Sequence, residues 1–318
     1  MNTIEVSVKA GYRIHMGFYR FSDYPLIYGA LGAAIENPRL TVNVRECNSL
    51  AITCETDYTK SLVKDVINYL GLSNVCVEVT GYVKHHVGLG STTRIVLATL
   101  VGLSTLKRFE IDAVEAAYKL GRGKVSSVGI YTFMYGNLVI DSGLKLESNE
   151  VRHAKPLTII PIPKDWYVVI AVPEDIKGPS EDEERKIMSN VKEFMDQNLL
   201  YRYILRLMSA AIHRDFKLFT DSLHNIQLLT GKYFSEYQGG IFCCDISQEL
   251  ADIMMRLGLR GIGQSSWGPT IYGFTNSYLK AIEARNTLLN YFQKIGVRGK
   301  VWVTNIPNTG HRIDIIIR

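Results

Sequence analysis

Apolar and polar residues alternate over residues 4–9, which predicts a strand with one face buried and one facing solvent. Residues 12–18 extend the pattern, and Arg13 and His15, two apart, then share a face. That face is either the solvent side or the wall of a site. Residues 28–35 are small and apolar, as in a buried strand that another backbone approaches closely. Residues 40–45 and 51–54 predict further strands. Residues 59–70 change to a helical period that stops at Gly71. A strand over 74–83, a glycine-containing turn and a helix over Ser91–Lys107 follow. A second helix spans 111–120, with Asp112 near its start and Gly121 at its end, and a strand spans 136–141.

The pattern breaks between 145 and 165, where a polar stretch gives way to Pro156, Pro161 and Pro163. This predicts a domain boundary, with one domain over 1–155 and a second over 156–318. In the second, residues 166–172 read as a strand, 181–197, 199–213, 216–229 and 247–257 as helices, and 270–274 as a strand. A helix over 278–294 and strands over 299–304 and 312–317 close the chain. Helices interleaved with hairpin-like strands predict an α+β fold, not a doubly wound parallel sheet. There is no internal repeat.

Composition narrows the function class. The 318 residues are 47% hydrophobic and 21% charged, enough for a sizeable core without metal. A net charge of +5 suits an anionic small substrate, and the clustered basic stripe of a nucleic-acid binder is missing. The 5 cysteines form no Cys-x-x-Cys pair and no zinc spacing. They predict reduced thiols and a cytoplasmic setting. No apolar signal core opens the chain and no run is long enough to cross a bilayer.

Three glycine-containing loops carry the candidate chemistry. In Gly88-Leu89-Gly90-Ser91-Thr92 the glycines allow a sharp turn, and the helix that follows has unpaired N–H groups and a positive dipole end for phosphate. Gly121-Arg122-Gly123-Lys124-Val125-Ser126-Ser127 combines cations, hydroxyls and glycines, and can fold over an anion or form a surface turn. The third runs Gly261-Ile262-Gly263-Gln264-Ser265-Ser266-Trp267-Gly268-Pro269. Neither Gly-x-x-x-x-Gly-Lys-Ser/Thr nor a dinucleotide fingerprint is present. Asp141 is either a metal ligand or a turn residue bonding its own backbone.

Gly88-Leu89-Gly90-Ser91 resembles the phosphate loop of the GHMP kinase superfamily, although Lys84-His85-His86 stands where a proline usually precedes it. Together with Arg13-Ile14-His15-Met16-Gly17, the 121–129 loop, Asp141-Ser142-Gly143 and Gln264-Ser265-Ser266-Trp267-Gly268-Pro269, it resembles the β-ribofuranosylaminobenzene 5′-phosphate synthase branch. The resemblance implies an N-terminal α/β domain like ribosomal protein S5 domain 2 and a C-terminal ferredoxin-like domain. It implies transfer of phosphoribosyl from phosphoribosyl pyrophosphate to 4-aminobenzoate or its 4-hydroxy analogue, releasing CO2 and pyrophosphate, in methanopterin biosynthesis. The alternative is an ATP-dependent small-molecule kinase. Galactokinase-like and mevalonate-kinase-like members of the superfamily carry an aspartate where this chain has Gly129, whereas some of its other kinases lack it; a glycine cannot take a proton.

On this reading Arg13, His15, His86, Arg122 and Lys124 are the candidate catalytic cations. Gly88, Leu89, Gly90, Ser91 and Thr92 bind phosphate. Gly261, Gly263, Gln264, Ser265, Ser266 and Trp267 contact substrate. Ser91 and Asp141 are candidate ligands for Mg²⁺, with no organic cofactor. The expected assembly is a homodimer, with no nucleic acid or membrane partner.

Overall fold

The computed structural model describes residues 4–20, 28–147, 150–189 and 196–317. In chain order these form β1 (Ile4–Tyr19), β2 (Gly29–Glu46), β3 (Ala51–Thr53), α1 (Asp57–Tyr69), β4 (Val75–Thr80), α2 (Ser91–Lys107), α3 (Ala113–Lys119), α4 (Val128–Tyr135), β5 (Leu138–Asp141), β6 (Lys145–Glu147), β7 (Glu150–Arg152), β8 (Pro156–Ile160) and β9 (Tyr167–Pro173). Then come α5 (Glu181–Ser189), α6 (Gln197–Ile212), α7 (Phe216–Gln238), α8 (Asp245–Arg256), β10 (Arg260–Gln264), β11 (Ile271–Thr275), α9 (Tyr278–Lys294), β12 (Gly299–Asn305) and β13 (Arg312–Ile317). The part of the helix expected over 181–197 that falls on 190–195 lies outside the described residues.

Sequence pattern accounts for most of these elements. β1 buries every second residue from Val6 to Ile14, because a strand sends successive side chains to opposite faces. α1 begins where the Thr56 side chain accepts the Thr59 N–H, which satisfies one of the donors a helix start leaves open. The strands expected over 28–35 and 40–45 are one continuous β2 of 18 residues. The pair Asn37-Pro38 that separates them in sequence is a cis peptide inside it. α4 is a correction: residues 128–135 are helical where the expectation had a loop through 129 and no element before the strand at 136. They are almost wholly apolar, so burial on all sides hides the helical period.

The larger sheet runs β13-β1-β2-β4-β3, with β5 also pairing β2 and β8 pairing β5. It is antiparallel apart from the parallel β3–β4 pair. The second sheet is antiparallel, in the order β10-β11-β9-β12. The boundary expected at 155/156 therefore falls within the larger sheet, whose β8 and β13 come from the far side of it. Pro156 itself opens β8 opposite Asp141.

α2 lies under the larger sheet with Ile95, Leu97, Ala98 and Leu100 fully buried. Arg94 on the same helix is buried as well, and among the described residues it pairs with no carboxylate. Its Nε donates to Gly11 O at 2.7 Å, Nη2 to Tyr12 O at 3.2 Å and to Thr132 Oγ1 at 2.9 Å, and Nη1 to Gly129 O. Burial lowers its pKa to about 9. One guanidinium thus ties α2, β1 and α4 together through backbone carbonyls. Cys47 and Cys76 are joined as a disulfide across the ends of β2 and β4, which corrects the expectation of free thiols. Their 29-residue separation gives the sequence no local sign of the pairing.

Candidate active site

The first glycine loop is set by backbone packed on backbone. Gly88 has φ 94°, and a Cβ there would lie 2.1 Å from Ser265 O. A Cβ on Gly268 would lie 2.3 Å from Gly88 N. The first and third glycine loops, far apart in sequence, therefore touch directly, and only glycine permits the approach. Side chains lock the contact. Ser265 Oγ donates to Gly88 O at 2.6 Å and accepts the His15 N–H at 2.9 Å. Thr270 Oγ1 donates to Val87 O at 2.5 Å, and Arg13 N–H reaches Leu89 O at 3.2 Å. Gly178 joins from a third direction, donating to His86 O at 2.8 Å.

Gly90, with φ 73°, caps α2 without a side-chain hydrogen bond. The first helical N–H groups, from Ser91 on, thus have no acceptor in the helix and face a cavity at its positive end. That cavity is lined by Arg13, His15, His86, Gly88, Gly90, Ser91 and Thr92. Its opposite wall is the second loop, Gly121 to Ser126, with Arg122 and Lys124, closed by Ser266, Trp267 and Gly268 of the third. The structure therefore brings all five expected cations to one hollow.

Arg13 and His15 keep a solvent opening through the cavity although protein surrounds both. Burial lowers the Arg13 pKa to about 10, opposed by the Glu184 charge, and Arg13 stays charged near neutrality. Its Nη1 donates to Gly88 O at 2.5 Å, while its buried Nε has no partner. Burial, then the Arg13 charge, lowers the His15 pKa to about 3, so His15 is a neutral imidazole. It corrects the expectation of a cation there: neutral, it can only donate or accept a hydrogen bond.

Other expected residues take supporting places. Leu89 is buried and anchors the loop. Ser265 is buried and braces the two loops. Gly261 and Gly263 sit in β10, where a Cβ would press on Thr220 or Gln227 of α7, so they bring strand and helix together away from ligand. Gln264 accepts the Cys243 N–H at 2.7 Å and donates to Gln238 and Ser266, which fixes the third loop. Asp141 is fully buried. Its Oδ1 accepts from the Ala30 and Gly143 N–H groups and its Oδ2 from Ser127 N–H. Both oxygens are committed to the backbone, so Asp141 fixes the second loop and the start of α4 and does not line the cavity. Burial raises its pKa to about 6 against those donors.

Sequence reading missed His85, Glu184, Gly178 and Pro179. His85 stands between Ser91 Oγ and Thr59 Oγ1, 3.1 Å from each, and burial lowers its pKa to about 4. Its place before the glycine loop was the available signal. Glu184 comes from α5 and is the carboxylate lining the cavity among the described residues. Only the tertiary fold shows that.

No family model matches the chain. It is 27% identical over 331 aligned residues to β-ribofuranosylphenol 5′-phosphate synthase of Methanocaldococcus jannaschii, covering 95% of this chain and 98% of that one. To the synthase of the same name from Archaeoglobus fulgidus it is 28% identical, covering 90% of this chain and 92% of that one. The chain is a homologue of these synthases. Homoserine kinase from Cytophaga hutchinsonii superposes with a TM-score of 0.67 at 17% identity, over 98% of this chain and 97% of that one. The fold is that of the GHMP kinases. Gly129, in the first turn of α4, accepts Arg94 Nη1 at its carbonyl. No helix among the described residues is long and apolar enough to cross a membrane.

Proposed function

We propose that the chain is a decarboxylating C-glycoside synthase. It joins the ribose C1 of phosphoribosyl pyrophosphate to the ring carbon that bears the carboxylate in 4-hydroxybenzoate or 4-aminobenzoate. The name of its relatives, a phenol product, favours the 4-hydroxy acid. The observation that supports this most is one cavity walled by three glycine loops and by Arg13, Arg122 and Lys124. Such a site suits an anion-rich substrate.

The bonds balance as follows. The C1–O bond to pyrophosphate breaks and its electron pair leaves with pyrophosphate, so C1 becomes cation-like. The para oxygen or nitrogen pushes density to the ring carbon, which bonds C1. The ring-to-carboxylate bond then breaks, its electrons restore the aromatic ring, and CO2 departs. The N–H groups at the start of α2, Arg122 and Lys124 would stabilise the leaving pyrophosphate. Arg13 would hold the carboxylate. Neutral His15 adds no second charge, so the carboxylate is not over-stabilised against departure as CO2.

Mg²⁺ is part of the proposal. Among the described residues no cluster of His, Cys, Asp or Glu could hold a metal alone. Mg²⁺ commonly takes one or two carboxylates and substrate phosphates, and Glu184 with Ser91 offers that donor set in this cavity. When bound, it would neutralise charge on pyrophosphate. A cytoplasmic homodimer also belongs to this proposal; β13, at the sheet edge, exposes Ile313, Ile315 and Ile317 to a second copy.

The test is to incubate the protein with Mg²⁺, phosphoribosyl pyrophosphate and carboxyl-labelled 4-hydroxybenzoate or 4-aminobenzoate, without ATP, and count CO2. Release that requires both substrates is the expected result. ATP-dependent phosphorylation of a small alcohol with no CO2 release would replace the synthase with a kinase.

A further inference from the structure

The cavity opens into a smaller second chamber that shares His15, Val125, Ser126, Glu184, Ser266 and Trp267 with it. Its character differs. The first is walled by glycine backbone and cations; the second is faced by Phe18, Tyr28, Met188 and Phe234 as well as Trp267. Phe234 meets Trp267 edge to face, with ring centroids 4.3 Å apart. Ring faces and edges of this kind accept another aromatic ring.

One side of the chamber is a single face of α7, carrying Gln227, Thr230, Gly231, Phe234 and Gln238 at helical spacing. Several polar atoms of this face bond within the protein. Gln227 Oε1 accepts the Gln264 N–H at 2.9 Å, and Gln238 bonds Gly240 O, Ile241 O and Gln264. Thr230 Oγ1 is buried and has no hydrogen-bond partner among the described residues. A buried hydroxyl left unpaired is unfavourable, so it fits a position that a ligand's polar group completes.

Reaction geometry orients that ligand. The carbon that attacks ribose C1 must stand where the two chambers join, next to the phosphates. In a para-substituted benzoate the opposite end of the ring then points away from the junction, into the second chamber. We propose that the second chamber binds the aromatic acid, its ring against Phe234 and Trp267, and that Thr230 selects it by hydrogen bonding the para hydroxyl or amino group. This rests on the synthase reading for its substrate class, and it adds a specificity-determining residue to it.

The experiment measures dissociation constants by equilibrium dialysis for benzoate, 4-hydroxybenzoate and 4-aminobenzoate, with and without pyrophosphate and Mg²⁺. Wild type, Thr230→Val and Thr230→Ser are compared. Wild type should bind the para-substituted acids about tenfold more tightly than benzoate, a usual effect of completing one buried hydrogen bond. Thr230→Val, nearly isosteric, should bring all three within about twofold while leaving benzoate affinity unchanged, and Thr230→Ser should restore the preference. Loss of affinity for all three acids alike in Thr230→Val, an unchanged preference, or no binding of any acid to wild type would overturn the assignment. Selective binding without CO2 release in the labelled assay would uphold the chamber and reject the synthase reaction, so the two failures are separable.

Discussion

Ser265 Oγ donates to Gly88 O at 2.6 Å across 177 residues of sequence, and the Ser265 carbonyl blocks any Cβ at Gly88. The first glycine loop is therefore shaped from behind by the third. Gly88→Ala forces a methyl group onto that carbonyl at a backbone φ of 94°. Loss of about 3 kcal/mol of stability is expected in urea unfolding, with loss of pyrophosphate binding. Ser265→Ala should remove about 2 kcal/mol, since it leaves the His15 N–H without its acceptor. A Gly88→Ala protein as stable as wild type would show that the loops are not packed in this way.

Arg13 is the cavity cation with the strongest structural constraint, held on Gly88 O and close to Glu184 in the field it feels. Arg13→Met should lower kcat/KM about 100-fold, the scale for removing one preorganised charge from a site where charge moves during reaction. Arg13→Lys keeps the charge but not the fork geometry and should fall between the two. Steady-state kinetics in phosphoribosyl pyrophosphate and in the aromatic acid decide which substrate Arg13 serves. An unchanged kcat/KM in both would remove it from the site.

His85 predicts a pH dependence. Burial, reinforced by the neighbouring His86 and Lys177 charges, lowers its pKa from 6.5 to about 4. The unfolded chain then binds a proton that the folded chain refuses between those values. Stability from this group is complete above about pH 6.5 and falls as pH drops toward 4, by about 1.4 kcal/mol per pH unit. Asp141, raised from 3.8 to about 6, acts in the opposite direction, its stabilisation present below 3.8 and lost as pH rises through 6. The two partly cancel in the wild type. Comparing wild type with His85→Gln isolates His85, because Asp141 is common to both. Wild type should lose stability relative to His85→Gln steadily from pH 6.5 to 4, whichever of the two is the more stable at pH 6.5, and parallel curves would place a proton on His85 in the fold.

Much of the framework is legible in the sequence because it depends on local chemistry. Alternation gives β1, glycine and threonine punctuation gives α1, and the Gly-x-Gly-Ser run marks the start of α2 through residue type alone. α4 is not legible, since uniform apolarity carries no period. α7 extends to Gln238, past the expected end at 229, because Thr230-Gly231 looks like a helix end in sequence while tertiary packing continues the helix. A Cβ at Gly231 would lie 2.6 Å from Ile241 O, so this glycine serves a close approach.

The sequence by itself determined which segments bend, which carry cations and which helix offers free N–H groups, since those follow from residue type and neighbours. It placed Arg13, His86, Gly88, Ser91, Arg122, Lys124 and Trp267 among the candidates without showing that they meet. Only the tertiary structure decided that Asp141 is consumed by backbone donors, that His15 is neutral, that Glu184 enters the cavity, and that Thr230 is left without a partner among the described residues. Each of these depends on burial and on which distant group arrives opposite. Desolvation and long-range hydrogen bonding are properties of the packed chain, set by contacts that no local stretch of sequence contains.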